Sequence, residues 1–536
     1  MIQNKILYPF LLCFYFVSFI FAENLGQVYL GDAVRPIVVV LLVAGTTLLL
    51  FRVIFGSFDR AAFVTTLLLT LIFIYAGLAR LMAGLLGKNM LVLFAAEILV
   101  LSVIGFITLR TVTDWKKLNQ TLNLITGVLL VMALYRIGSF GMSDEGVIIA
   151  PPVERQDVSV EGFERPAGKL PNIYYLLVDG YTRSDTLQDY FGYDNSDFLG
   201  YLRDTGFKVA DKSVANYNLT AMAVSSQLNM EYLGDEDGFR ETHPKGSAHL
   251  IDEKIFNNRV AAVLKDLGYR VITLRSNYKF VVTRDAENLI LDEGGVELSE
   301  FEWALLETTV LPRIYGKLGS KKVLSKRDKV EFVLDGISQR AAEPDPTFLI
   351  AHIMVPHHPF IFDRNGELPD QEAQDFGMPA NFSDDVRGYA DQVHYLNGVL
   401  RNVIDDILAN SEIPPIIILQ GDHGLRLTWW EKMQLDEQEQ LEDICLREVF
   451  TNLNALYLPD EEHRGAFYDS ISQVNTFRLI FDAYFGSEMG MLEDRSFFTN
   501  LKLNAKREKR SMSFIEVTGR QDTCPASWDE KFRALH

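Results

Sequence analysis

The sequence predicts an N-terminal multi-span α-helical membrane domain followed by a doubly wound α/β domain. Three observations predict it. Apolar residues crowd into the first 140 of 536 positions, in stretches about as long as a bilayer is thick. Beyond residue 170, short β-branched runs alternate with segments of helical periodicity. Several of those runs release Asp or His, at the end of the strand where open α/β sheets bind their ligands.

The membrane stretches are Ile6–Ala22, Pro36–Phe55, Ala61–Leu81, Met90–Leu109 and Leu122–Phe140. Lys5, Arg52, Arg60, Arg110, Lys116 and Lys117 fall at ends that share one side. Arg35, Arg80, Lys88 and Arg136 fall at the other, a modest positive-inside bias that puts the N-terminus in the cytoplasm. An odd number of spans then delivers residue 150 onward to the outside. The first stretch also reads as a cleavable signal peptide, with Lys5 before it and Phe21-Ala22 at its end. Cleavage would leave four spans and the same outside placement. Arg80 reads as snorkelling to the interface, and Glu97 as half of an interhelical pair or a lipid contact.

Residues 141–170 are rich in Pro, Gly, Glu and Ser without periodicity, and read as a linker. A catalytic domain is expected over 171–490, with a C-terminal extension over 491–536. Asn172–Val178, Tyr269–Leu274, Thr347–Val355 and Pro415–Gln420 read as strands of a mostly parallel sheet. Ile255–Leu267 has helical spacing up to Gly268. Tyr389, Val393, Leu396, Leu400, Val403 and Ile407 step by four and three along one face of a long helix. The net charge of −20, with no clustered Lys and Arg, argues against nucleic acid as a partner. Of three cysteines, Cys13 lies in an apolar stretch, which leaves at most one disulfide, Cys445 to Cys524.

Three strand ends carry the chemistry. One run releases Asp179-Gly180, another Asp422-His423-Gly424, and a third leads through His352 to His357 and His358. Two carboxylates and an imidazole from different strands can converge on a divalent cation and leave a position open for substrate. Taken singly, each has an ordinary alternative: a strand-end Asp is more often a turn residue or helix cap, and a loop His more often polar surface.

Pro171-Asn172-Ile173 through Asp179, with Gly421-Asp422-His423-Gly424, resembles the sulfatase-like branch of the alkaline phosphatase superfamily, over roughly residues 170–485. The strand Ala455–Leu458 and the segment Ser472–Phe477 resemble the family's closing elements. The formylglycine motif CxPxR or SxPxR of true sulfatases is absent, and Gly180 stands where they carry a second Asp. The pattern is closer to lipoteichoic acid synthases and lipid A phosphoethanolamine transferases. That resemblance implies an alkaline-phosphatase-like fold, a single metal and a threonine nucleophile. The matching threonine is Thr220, in Asn218-Leu219-Thr220-Ala221; its alternative is to cap the helix that follows.

The resemblance implies Asp179, Thr220, Asp422 and His423 as metal ligands, Thr220 as nucleophile, His357 at the substrate phosphate or as general acid, and His352 second to it. A downstream family histidine has no counterpart; Leu425-Arg426-Leu427 follows instead, so Arg426 either supplies charge there or is a solvated loop residue. The donor set suits zinc and manganese alike. The expected protein is a membrane-anchored phosphotransferase acting on a membrane lipid or envelope glycan, multi-pass in the inner (plasma) membrane with its catalytic domain outside. A sulfatase-like hydrolase is the second expectation. A membrane sensor or transporter with an inactive outer domain is the third.

Overall fold

A computed structural model describes residues 5–25, 28–86, 90–142, 159–233, 247–275, 282–290, 299–309, 316–343, 346–369, 382–432, 441–499 and 514–536. The chain forms two compact units. One holds Met1–Pro152, Pro244–Ala248 and Glu293–Lys322; the other holds Val153–His243, His249–Asp292 and Val323–His536.

In the first unit, five helices follow one another: α1 Tyr8–Glu23, α2 Leu30–Phe55, α3 Phe58–Leu86, α4 Met90–Thr111 and α5 Trp115–Gly141. They fall on the five predicted stretches. Among the described residues, α2 and α5 are long and apolar enough to cross a membrane. Val38, Val39, Leu42, Leu49, Leu50, Val53 and Ile54 of α2 stay exposed, as do Leu124, Ile125, Val128, Val131 and Met132 of α5. Such faces are stable in hydrocarbon, not in water. Glu97 is buried within the unit rather than lipid-exposed. The side chain of Arg80 lies outside the described residues.

One element here comes from far along the sequence. The helix Glu300–Glu307 opens with a capping box between Ser299 and Glu302. It sets Phe301 edge-on to Phe21 and pairs Glu302 with Arg35. This helix therefore groups with the N-terminal helices in the first unit.

The second unit is built on a seven-stranded sheet ordered β2-β7-β6-β1-β5-β3-β4. Its strands are β1 Ile173–Val178, β2 Lys208–Val209, β3 Arg270–Arg275, β4 Glu287–Ile290, β5 Thr347–Ile353, β6 Ile416–Gly421 and β7 Asn454–Tyr457. The five strands from β6 to β4 run parallel; β7 and β2 pair antiparallel at one edge. Residues of β1 alternate between two cores. Tyr174, Leu176 and Val178 pack with Val393, Leu396 and Leu400 of the helix Phe382–Asn410. Ile173, Tyr175 and Leu177 pack with Phe477, Ile480 and Phe481 of the helix Thr476–Tyr484. Both faces are covered, as a doubly wound sheet requires.

The register decides where the site lies. Val178 is paired with Ile353 of β5 on one side and with Gly421 of β6 on the other. The three chemistry-bearing strands thus end level, and whatever follows them converges.

One expectation is corrected here. The helix predicted over Ile255–Leu267 is two helices, Ser247–Phe256 and Arg259–Asp266. Asn258 breaks it by accepting the Ala261 N–H on its side chain, which starts a new helix. The described residues of the expected C-terminal extension, 491–499 and 514–536, pack into the second unit. Phe497, Phe498 and Phe514 enter one core, Phe532 the other, and Cys445 is disulfide-bonded to Cys524. Phe497–Thr499 and Phe514–Glu516 form a two-stranded sheet, β8 and β9.

Candidate metal centre and active site

Asp179 follows β1 and is held by its own backbone: its N–H donates to Ile353 O and its carbonyl accepts from His357 N at 3.0 Å. Gly180 turns the chain at φ +72°, a conformation open to glycine and strained for an Asp at that position. This is a local reason for the missing second carboxylate. The Gly180 N–H donates to Asp422 Oδ1 at 2.9 Å, so the ends of β1 and β6 are stitched together. The His423 N–H donates to the same oxygen, also at 2.9 Å. Gly424 is demanded by packing, because a Cβ there would drive into the carbonyl oxygens of Glu448 and Thr451.

His423 is oriented by its far nitrogen. Nδ1 lies 2.7 Å from the Gly424 carbonyl and donates to it, which leaves the Nε2 lone pair facing the carboxylates. Nε2 is 3.2 Å from Asp422 Oδ2 and 3.9 Å from Asp179 Oδ1. One donor atom from each of Asp179, Asp422 and His423 lies within 4.8 Å of the others, and all three residues are buried.

Thr220 is the first residue of the helix Thr220–Asn229. The residue before it, Leu219, is the N-cap and makes no side-chain cap. The Thr220 hydroxyl instead meets His423 Nε2 at 3.2 Å. Capping is therefore not what this threonine does. The positive end of the helix dipole lies beneath its hydroxyl, where an anion is favoured.

The electrostatics are those of a site built around a cation. Burial pushes the Asp422 carboxyl up to about 7, helped by the neighbouring charge of Asp179. Burial also raises Asp179, but His357, His352 and His423 outweigh it and hold this carboxyl far below the usual range. Burial, then the Arg426 charge, depresses His423 well below its normal value. Asp179 Oδ1 and Asp422 Oδ2 are buried without a hydrogen-bond donor of normal geometry, although Thr220 and His423 stand beside Asp422. Buried carboxylate oxygens left this way are costly unless a cation takes them. The group fits a divalent metal.

The remaining predicted residues are placed less directly. His352, on β5, lies against Asp179 Oδ2 at 3.3 Å. His357 donates from Nδ1 to His358 O at 2.7 Å and accepts at Nε2 from Arg426 Nη2 at 3.1 Å. Sequence reasoning missed the residues that fix the strand ends. Gln473 donates to the carbonyls of Gly421 and Asp422, both at 2.7 Å, and the Tyr389 hydroxyl donates to Gly180 O at 2.7 Å. Tyr389 showed itself only as one member of an apolar stripe; its hydroxyl left no trace in the periodicity.

The sulfatase family model matches residues 171–463, more than half of the chain. The chain belongs to the sulfatase family. It is therefore an enzyme of the sulfatase-like branch of the alkaline phosphatase superfamily. No curated protein sequence matches it. Among solved structures it is similar to the C-terminal periplasmic domain of EcEptC from Escherichia coli in complex with Zn, at 14% identity and a TM-score of 0.39, over 68% of this chain and 96% of that one. It is also similar to the integral membrane protein lipooligosaccharide phosphoethanolamine transferase A from Neisseria meningitidis, at 14% identity and 0.38, over 89% and 96%. A third is the phosphonate monoester hydrolase of Agrobacterium radiobacter, at 13% and 0.34, over 62% and 80%. Likenesses this distant assign no residue a role in this sulfatase-family site.

Proposed function

We propose that this chain is a membrane-anchored, metal-dependent phosphotransferase acting on a cell-envelope lipid or glycan through Thr220. The observation that carries the reading is the Thr220 hydroxyl at the head of a helix, 3.2 Å from His423 Nε2 and beside two buried carboxylates. Asp179, Asp422, His423 and Thr220 would hold one zinc or manganese ion. When bound, such a cation acidifies the threonine hydroxyl and draws charge from the phosphoryl oxygens.

The protein's own groups set the geometry. His352 orients Asp179 from behind. His357, with Nδ1–H committed to a carbonyl and Nε2 accepting from Arg426, belongs on the phosphate side of the site rather than at the leaving group. In the first step Thr220 Oγ1 bonds to phosphorus as the ester P–O bond breaks. The proton that Thr220 gives up balances the one that the departing alkoxide takes. In the second step an acceptor hydroxyl attacks the phosphothreonine and restores Thr220. Water as acceptor makes the reaction a hydrolysis, and a glycan hydroxyl makes it a transfer. Transfer is favoured by the N-terminal spans, which keep the site beside lipid donors and envelope acceptors.

The organisation that goes with this reading is a membrane domain over 1–140, a linker over 141–170 and an extracytoplasmic catalytic domain from 171 onward. Mass spectrometry of the purified full chain turning over a lipid phosphodiester should find a phosphoryl adduct on Thr220. Thr220→Ala should abolish turnover and keep the metal. Turnover with unmodified Thr220 throughout, or by the Ala variant, would remove the covalent step.

A further inference from the structure

Arg426 is an oddity in its surroundings. It is 8% exposed, yet among the described residues no carboxylate lies within ion-pairing distance of its guanidinium. Nη1 donates to Asn218 O at 3.1 Å and Nη2 to His357 Nε2 at 3.1 Å, while Nε is buried without a partner. The nearby acid, Glu448, feels its charge but makes no hydrogen bond to it. Its two oxygens accept from Leu427 N, Thr428 N and the Thr428 hydroxyl, and burial pushes its carboxyl up to about 8. A buried guanidinium held in place from two sides, lying over the Trp429 ring and without an ion-paired carboxylate among the described residues, is a built anion receptor.

Both of its anchors belong to the reaction centre. Asn218 is two residues before Thr220, and His357 is tied through its N–H to Asp179 O. We propose that Arg426 binds a non-bridging oxygen of the substrate's phosphoryl group; this rests on the phosphotransferase reading above. His357 is the positioning residue that holds the guanidinium through its Nε2 lone pair.

Inorganic phosphate titrated calorimetrically into metal-loaded, full-length Thr220→Ala protein reads the receptor without turnover. Binding should be measurable, and adding Arg426→Gln should weaken it about 10- to 100-fold, the range for one charge-assisted hydrogen bond. Arg426→Lys should recover part of the affinity, with metal content and melting temperature unchanged in both. Unchanged phosphate affinity in Arg426→Gln would overturn the proposal, as would no phosphate binding by the Thr220→Ala protein. Loss of the metal in Arg426→Gln would overturn it too, by making Arg426 a builder of the metal site. Failure of the wider reading registers separately, as turnover without a Thr220 adduct.

Discussion

Metal affinity should follow a single proton, and the structure says which. In the metal-stripped protein the Asp422 carboxyl titrates at about 7, raised by burial and by the charge of Asp179. Asp179 is already ionised across the accessible range, and His423 is already neutral. Below neutrality, therefore, one proton sits on one ligand and must leave before a cation can be held. A ligand needing the ionised form loses about tenfold in affinity per pH unit below that pKa and nothing above it. From about pH 8 down to about pH 5, the apparent affinity should fall about 90-fold, the ratio of the protonation factors at the two ends for a pKa of about 7. Zinc or manganese titrated into the stripped full chain, in two buffers of different ionisation enthalpy, counts the protons released. The count should be about one per ion near about pH 5 and about zero near about pH 9. A flat affinity across that window, or a release of two protons, would refute the assignment of a shared site with one raised and one lowered carboxylate.

Two substitutions test the scaffold of the same site. Gly424→Ala places a methyl against the Glu448 and Thr451 carbonyls; overpacking of this kind costs about 1–3 kcal/mol and should displace His423. Elemental analysis should find the metal:protein ratio reduced, and a wild-type ratio with a wild-type melting temperature would refute it. Asn218→Ala removes a side chain that accepts from Thr499 N at 2.7 Å and donates to Thr499 O at 3.0 Å, both buried. Leaving those two backbone groups unpaired should cost about 2–5 kcal/mol in denaturant unfolding and lower kcat, with metal content retained. Unaltered stability would mean that β8 does not hold the nucleophile loop.

What could be read in advance and what could not divide along a physical line. A strand buried on both faces advertises itself as an unbroken apolar run, so β1, β5 and β6 were visible, and so were the polar residues that they release. Because parallel strands place their carboxyl ends together, Asp179 and the Asp422-His423 pair could be expected to meet before any register was known; β1 pairing with both β5 and β6 supplies the reason. The helix break at Asn258 was hidden, since a cap is one hydrogen bond and the apolar spacing continues through it. The fate of residues 491–536 was hidden for a different reason. β8 and β9 are three residues each, and their worth lies in partners nearly three hundred positions away.

That distance carries a consequence for how the nucleophile is held. The Phe497 N–H donates to Asn216 O, the Asn216 side chain donates to Arg495 O, and Thr499 closes on Asn218. Arg426 reaches the same loop from the other side, at Asn218 O. Thr220 therefore sits at the end of a segment pinned by β8 and by Arg426, in the loop that follows β6. Neither pin is local, and the loop that presents the Thr220 hydroxyl to His423 is held from both sides.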